Sequence, residues 1–322
     1  MADILYALVG IVLVLYGADK LTDGSVGLAR KFSIPEMVIG LTVVAFGTSL
    51  PEFIVSLMSS LQGSADMSIG NIIGSNLFNT LMIVGTTAAI APIAVRKSTI
   101  YKDIPFTILA SVMLIALASD HALGSSQPSD LLTRSDGIAL LGFFAVFMAY
   151  TFAIAKPSPQ TTQALMENSS APGMPMWKVI LFIIGGLVGL VVGGELFVRG
   201  ASSIARDLGV SDAVIGLTLV AGGTSLPELA TSIVAARKGN GGIAIGNVIG
   251  SNLFNVFWIL GFCSTITPMH VTGIKPLDLV MLLVSALLFW FFAKTQKTIL
   301  RWEGLVLVAV YFGYLAWLLS NL

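Results

Sequence analysis

The sequence predicts an all-α polytopic membrane protein of ten transmembrane helices arranged as two inverted five-helix repeats. Three observations predict it. Of 322 residues, 56% are hydrophobic and 11% charged, a balance outside the soluble range. Apolar stretches of about 20 residues, each long enough to cross a hydrocarbon core of about 30 Å as a helix, recur along nearly the whole chain. Shifting the chain by 176 residues lays Val38 to Asn79 on Val214 to Asn255 without a gap, and from Ile34 onward 25 of 46 positions are identical.

Apolar runs between charged or Gly/Pro-rich breaks place the first five spans near 3–29, 36–61, 69–91, 103–120 and 134–155. The first lacks a basic start and continues past Gly17, Asp19 and Lys20, so it reads as a retained helix, not a cleaved leader. Residues 156–175, rich in Pro, Ser, Thr and Gln, read as a linker between a first repeat at 1–155 and a second at 176–322. The second repeat holds spans near 176–205, 211–237, 244–267, 275–294 and 303–320. Each half has an odd number of spans, so the second copy enters the membrane from the opposite side, an inverted repeat.

Lys and Arg concentrate in the loops after the odd-numbered spans, at Arg30, Lys31, Arg96, Lys97, Lys102, Lys156, Lys178, Arg237, Lys238, Lys294, Lys297 and Arg301. The positive-inside bias then puts both termini outside a cell (plasma or inner) membrane. The formal net charge of zero gives no reason to expect nucleic acid as a partner. Cys263, the only cysteine, lies in an apolar segment and reads as packing. His121 and His270 fall in loops without metal-ligand spacing and read as solvated.

The repeat concentrates its identity in two blocks: GTSLPE at Gly47 to Glu52 and at Gly223 to Glu228, and GN-x-IGSNLFN at Gly70 to Asn79 and at Gly246 to Asn255. A carboxylate in mid-span costs about 2.5–3.5 kcal/mol on insertion scales, so a duplicated Glu52 and Glu228 calls for a function. Helical spacing puts Ala45, Thr48, Ser49 and Glu52 on one stripe and Asn71, Ser75 and Asn79 on another. Ala221, Thr224, Ser225 and Glu228, with Asn247, Ser251 and Asn255, repeat the pattern. Pro51 and Pro227 remove the helical hydrogen bonds to the Gly47 and Gly223 carbonyls and predict a break in each helix.

Two carboxylates among hydroxyls, amides and carbonyls suit a hard cation that takes six to eight oxygens, and their charge balances one Ca2+. Mg2+, which demands strict octahedral geometry, fits less well. Asn71, Asn76, Asn247 and Asn252 read as amides bonding neighbouring backbone, not as ligands. The glycines at 70, 74, 246 and 250 would let a neighbouring helix approach closely. Asp19 coincides with Glu195 under the 176-residue shift, which leaves a gating role open, but Lys20 beside Asp19 suggests local pairing or snorkelling instead.

The paired GTSLPE and GSNLFN blocks resemble the alpha-1 and alpha-2 repeats of the cation/Ca2+ antiporter superfamily, the prokaryotic Na+/Ca2+ exchangers in particular. That resemblance implies a secondary active antiporter, not an enzyme, that exchanges Ca2+ for Na+ by alternating access. It implies that the first and sixth spans slide past a rigid core. It implies Ca2+ and Na+ ligation by Glu52 and Glu228, Na+ sites completed by Thr48, Ser49, Thr224 and Ser225, and contributions from Ser75, Ser251 and the carbonyls of Ala45 and Ala221. Ca2+ and Na+ are then substrates; no cofactor and no obligatory oligomer are implied, and membrane lipid is the other partner.

The chain departs from that pattern at Asn79 and Asn255, where many relatives carry Asp in at least one copy. This leaves the stoichiometry open and disfavours K+ cotransport. Ca2+/H+ exchange stays open, since either Glu can take a proton as Ca2+ leaves. A cation channel and an intramembrane hydrolase are the rivals from other classes. Tight carboxylate ligands oppose the first, and the symmetry of the two Glu environments opposes the second, because acid and base roles call for different surroundings.

Overall fold

The structure, a computed structural model, describes residues 2–121, 124, 130–155, 174–209 and 221–320. Eight described helices are long and apolar enough to cross a membrane, and one bent pair makes a ninth candidate span. They are α1 (Ala2–Phe32), the bent pair α2 (Glu36–Thr48) and α3 (Leu50–Leu61), α4 (Ala65–Ile90), α5 (Thr99–Leu117) and α6 (Arg134–Ile154). The second half contributes α7 (Met176–Asp207), the short α8 (Ala221–Thr224), α9 (Leu226–Arg237), α10 (Gly241–Ile266), α11 (Pro276–Gln296) and α12 (Arg301–Ser320). The chain is thus a multi-pass helical membrane protein. Residues 211–220 of the span expected at 211–237 and nearly all of the expected linker lie outside the described residues.

Burial sorts these helices into layers. α10 is almost wholly buried and α4 largely so, whereas α1, α7, α6 and α12 present most of their apolar surface outward, as helices solvated by lipid do. Four short strands fasten loops of one half to loops of the other. β1 (Ile93–Ala94) pairs antiparallel with β4 (Thr298–Ile299), and β2 (Asp130–Leu132) pairs with β3 (Met269–Val271). His270 lies on β3 opposite Leu131, with its side chain exposed.

Glycine decides which backbones touch. α1 and α7 pack along their length, with Gly10 and Gly17 on one and Gly186, Gly193 and Gly200 on the other. A Cβ on Gly17 would lie 2.7 Å from the Gly186 carbonyl oxygen, and one on Gly193 2.8 Å from the Val14 amide nitrogen. Backbones this close exclude any side chain at those positions. The expected small-residue stripe holds on α10: a Cβ on Gly246 would lie 2.6 Å from the Met37 carbonyl oxygen, and one on Gly250 2.7 Å from that of Leu41. On α4 it meets less, because Gly74 has no neighbour within 4 Å among the described residues. The counterpart of the Met37 to Leu41 stretch is 213–217, which lies outside them.

Candidate cation site

Local sequence breaks two helices at the same place. In Ser49-Leu50-Pro51 the proline ring cannot continue the preceding helix, Ser49 leaves helical geometry (φ −83°, ψ 6°), and α3 starts afresh with Pro51 in its first turn. α2 and α3 meet at a bend of 47°. Ser225 repeats this (φ −92°, ψ 7°), with Pro227 in the first turn of α9. Glu52 and Glu228 therefore each stand in the first turn of a half-helix, where the exposed amide dipoles favour negative charge.

Both carboxylates are 1% exposed, and the two halves exchange donors across them. The Ser225 hydroxyl donates to Glu52 Oε1 at 2.9 Å, while the Ser49 hydroxyl donates to Glu228 Oε1 at 3.0 Å. Ser251 adds a donor to Glu228 Oε1 at 3.3 Å. Thr224 and Thr48 lie beside Glu52 and Glu228 respectively. The Thr48 hydroxyl is also 3.1 Å from both the Val44 carbonyl and Asn247 Oδ1, so it donates to one at a time. The second carboxylate oxygens, Glu52 Oε2 and Glu228 Oε2, have no hydrogen-bond partner among the described residues.

A second tier of amides braces the half-helices, again in duplicate. Asn71 Nδ2 donates to the Glu52 carbonyl at 3.3 Å and to Ser56 Oγ at 2.9 Å. Asn247 Nδ2 donates to the Glu228 carbonyl at 3.3 Å and to Ser232 Oγ at 3.1 Å. These two asparagines therefore act as the sequence suggested, on backbone. Asn76 does likewise, donating to the Asn252 carbonyl at 3.2 Å.

Asn79 and Asn255 are the second residues of π-helical stretches, Phe78–Ile83 and Phe254–Leu260, that the sequence did not reveal. The stretch from Phe78 packs on α9 and that from Phe254 on α3, so each Asn lies in the segment facing the other half's Glu helix. Asn79 Nδ2 donates to Asn252 Oδ1 at 3.2 Å, and Asn255 Nδ2 donates to Asn76 Oδ1 at 2.9 Å. With their nitrogens so committed, Asn79 Oδ1 and Asn255 Oδ1 are left buried without a partner among the described residues. Asn252 Nδ2 turns to Thr80 Oγ1 at 2.8 Å, which breaks the symmetry once. Sequence reasoning had missed Ser56, Ser232 and Thr80, whose hydroxyls only the fold brings to these amides.

Five of the expected site residues thus carry buried oxygens with no partner among the described residues: Glu52, Glu228, Asn79, Asn255 and Ser75, the last through Oγ. Seven further buried hydroxyls outside the expected set also lack a partner among the described residues, Thr231 Oγ1 on α9 being one of them. An unpaired oxygen in a dry interior costs about 1–3 kcal/mol, more for a charged one, and a hard cation satisfies several at once. Among the described residues no three His, Cys, Asp or Glu side chains cluster, so the negative charge rests on the two glutamates. The Ala45 carbonyl accepts the Ser49 amide at 3.0 Å and has the Thr48 hydroxyl 3.5 Å away. Ala221 opens α8; its side chain is not among those described. Asp19 stands apart from this centre, paired with Lys20 at 3.0 Å, and Glu195 is exposed on α7.

The family model described as sodium/calcium exchanger protein matches residues 3–153 and 178–320. Sodium/calcium exchanger MaX1 of Methanosarcina acetivorans is 31% identical over 97% of each chain. Inner membrane protein YrbG of Escherichia coli is 37% identical, over 97% of this chain and 94% of its own. A solved structure of the sodium-calcium exchanger NCX_Mj soaked with Na+ and Ca2+ superposes with a TM-score of 0.81 at 36% identity, covering 98% of both chains. With duplicated half-helices, exchanged serine donors and a match over both halves, the chain belongs to the sodium/calcium exchanger family.

Proposed function

We propose that this protein exchanges Ca2+ for Na+ across a cell membrane by alternating access, with both ions bound as substrates between the two repeats. The observation that carries the reading is the pair of buried glutamates, each held through one oxygen by the serine of the opposite half and each keeping the other oxygen unpaired among the described residues. Glu52 and Glu228 supply the charge that balances Ca2+, with Asn79 Oδ1, Asn255 Oδ1, the Thr48 and Thr224 hydroxyls and the Ala45 and Ala221 carbonyls as neutral oxygens. Ser49 and Ser225 orient the carboxylates and join the Na+ sites with Ser75 and Ser251.

The architecture for this function is ten spans in two inverted halves, 1–155 and 176–322, joined by a linker at 156–175. Both termini face the outer side of the membrane of residence, taken as the inner membrane by likeness to YrbG. No cofactor is needed for ion exchange, and one chain holds every ligand named.

Ca2+ uptake into proteoliposomes preloaded with Na+, K+ or a pH gradient tests the reading. Na+ loading alone should drive uptake, and Glu52→Gln should abolish it. Uptake that follows the pH gradient would replace Na+ with H+ as the coupling ion. Cation flux that needs no counter-ion would make the protein a channel.

A further inference from the structure

We propose that Lys238 is a positioning residue that holds the α1–α7 pair in one of its two working arrangements, and that this restraint exists on one face of the protein only. The inference rests on the alternating-access reading, which requires that something move relative to the buried α4 and α10. The glycine seam between α1 and α7 makes that pair a unit of its own. Lys20 reinforces the unit from α1, its ammonium lying 5.1 Å from the centre of the Tyr16 ring and 5.2 Å from that of Phe182 on α7.

Lys238 belongs to the other side of that divide. It caps α9, ten residues beyond Glu228, and its amide bonds the Val234 carbonyl at 3.0 Å. Its ammonium reaches across to α1, 2.5 Å from Asp19 Oδ1, 2.7 Å from Asp23 Oδ1 and 3.3 Å from the Asp19 carbonyl oxygen. Asp19 and Asp23 are one turn apart and share a face. All three side chains are about a third exposed, so any single pair is worth little. One cation held by two carboxylates and a carbonyl, however, fixes a register that a sliding helix must give up.

The 176-residue repeat shows what the opposite face lacks. Gln62 stands where Lys238 does, capping α3 as Lys238 caps α9. Glu195 and Arg199 stand where Asp19 and Asp23 do. An uncharged amide opposite one acid and one base cannot form a cation held by two carboxylates. Arg199 instead lies over the Tyr6 ring at 5.3 Å. The ion site is nearly symmetric while the restraint on the moving pair is not, so Lys238 biases the resting protein toward the arrangement seen here.

The test is a distance distribution between spin labels at Lys31→Cys on α1 and Lys97→Cys on the core, both exposed positions, in the full-length protein in nanodiscs. Wild type should show two distances, with the one matching this structure dominant. Lys238→Gln should move their ratio by about three- to tenfold toward the other, and Lys238→Arg should keep the wild-type ratio. Raising ionic strength with 1 M choline chloride, which adds no transported cation, should shift wild type toward Lys238→Gln and leave that variant unchanged. If wild type shows two distances and Na+-driven Ca2+ uptake, but Lys238→Gln leaves their ratio unaltered, the restraint is refuted and antiport stands. A single distance in every ionic condition, with no Na+-driven uptake, overturns both.

Discussion

Glu228→Gln isolates the charge at the centre of the site. The substitution keeps size and shape and leaves one oxygen on the side chain, but lowers the formal charge from −2 to −1. A carboxylate oxygen ligates Ca2+ at about 2.4 Å, where one unit charge acting on a divalent ion through an effective dielectric of about 20 contributes on the order of 14 kcal/mol. Most of that is offset by the cost of stripping water from the ion and the carboxylate. About 3–4 kcal/mol surviving corresponds to a 10²- to 10³-fold rise in the Kd for Ca2+. The new amide nitrogen also replaces one oxygen, either the one that Ser49 and Ser251 donate to or the unpaired one. Equilibrium titration of purified protein with radiolabelled Ca2+ measures the shift directly. A Kd within tenfold of wild type would refute the assignment of Glu228 as a charge-balancing ligand.

Smaller perturbations follow from other contacts. Ser49→Ala and Ser225→Ala each remove one donor from a carboxylate of the opposite half and should raise the half-saturating Ca2+ concentration for uptake by about three- to tenfold, corresponding to about 1 kcal/mol each. Asn255→Asp sets an acceptor against Asn76 Oδ1, where Nδ2 now donates at 2.9 Å; its melting temperature in detergent should fall, and added Ca2+ should raise it by more than in wild type. Gly17→Leu has no room beside the Gly186 carbonyl and should abolish a monodisperse elution profile, whereas Gly185→Leu, at a position with nothing within 4 Å among the described residues, should elute as wild type.

Much of this was legible in the sequence because a membrane restricts what a chain can do. Insertion cost makes a mid-span glutamate conspicuous, and duplication makes Glu52 and Glu228 a pair before any coordinates are seen. Pro51 and Pro227 announced the helix breaks, although α3 and α9 use them as first-turn residues of new half-helices more than as kinks in old ones. The π-helical stretches at Phe78 and Phe254 were not legible, because widening a helical turn leaves no composition signature and depends on what packs against it. Nor was the exchange of Ser49 and Ser225 between glutamates. Spacing puts each serine near the Glu of its own half, and only the docking of the halves hands it to the other. The pairing of Asp19 with Lys20 was foreseen from adjacency, while its larger partner, Lys238, is 219 residues away in the chain.

The exchanged serines also set an order of events during synthesis. When the first repeat has entered the bilayer, Glu52 is in place but its hydroxyl donor, Ser225, has not been made; a buried carboxylate must wait, wetted or protonated, for a residue 173 positions later. Ser49 likewise waits for Glu228. The cation cage closes only when the second repeat docks, so a nascent chain halted after the first five spans carries half of each ligand set and has no competent site to leak ions through.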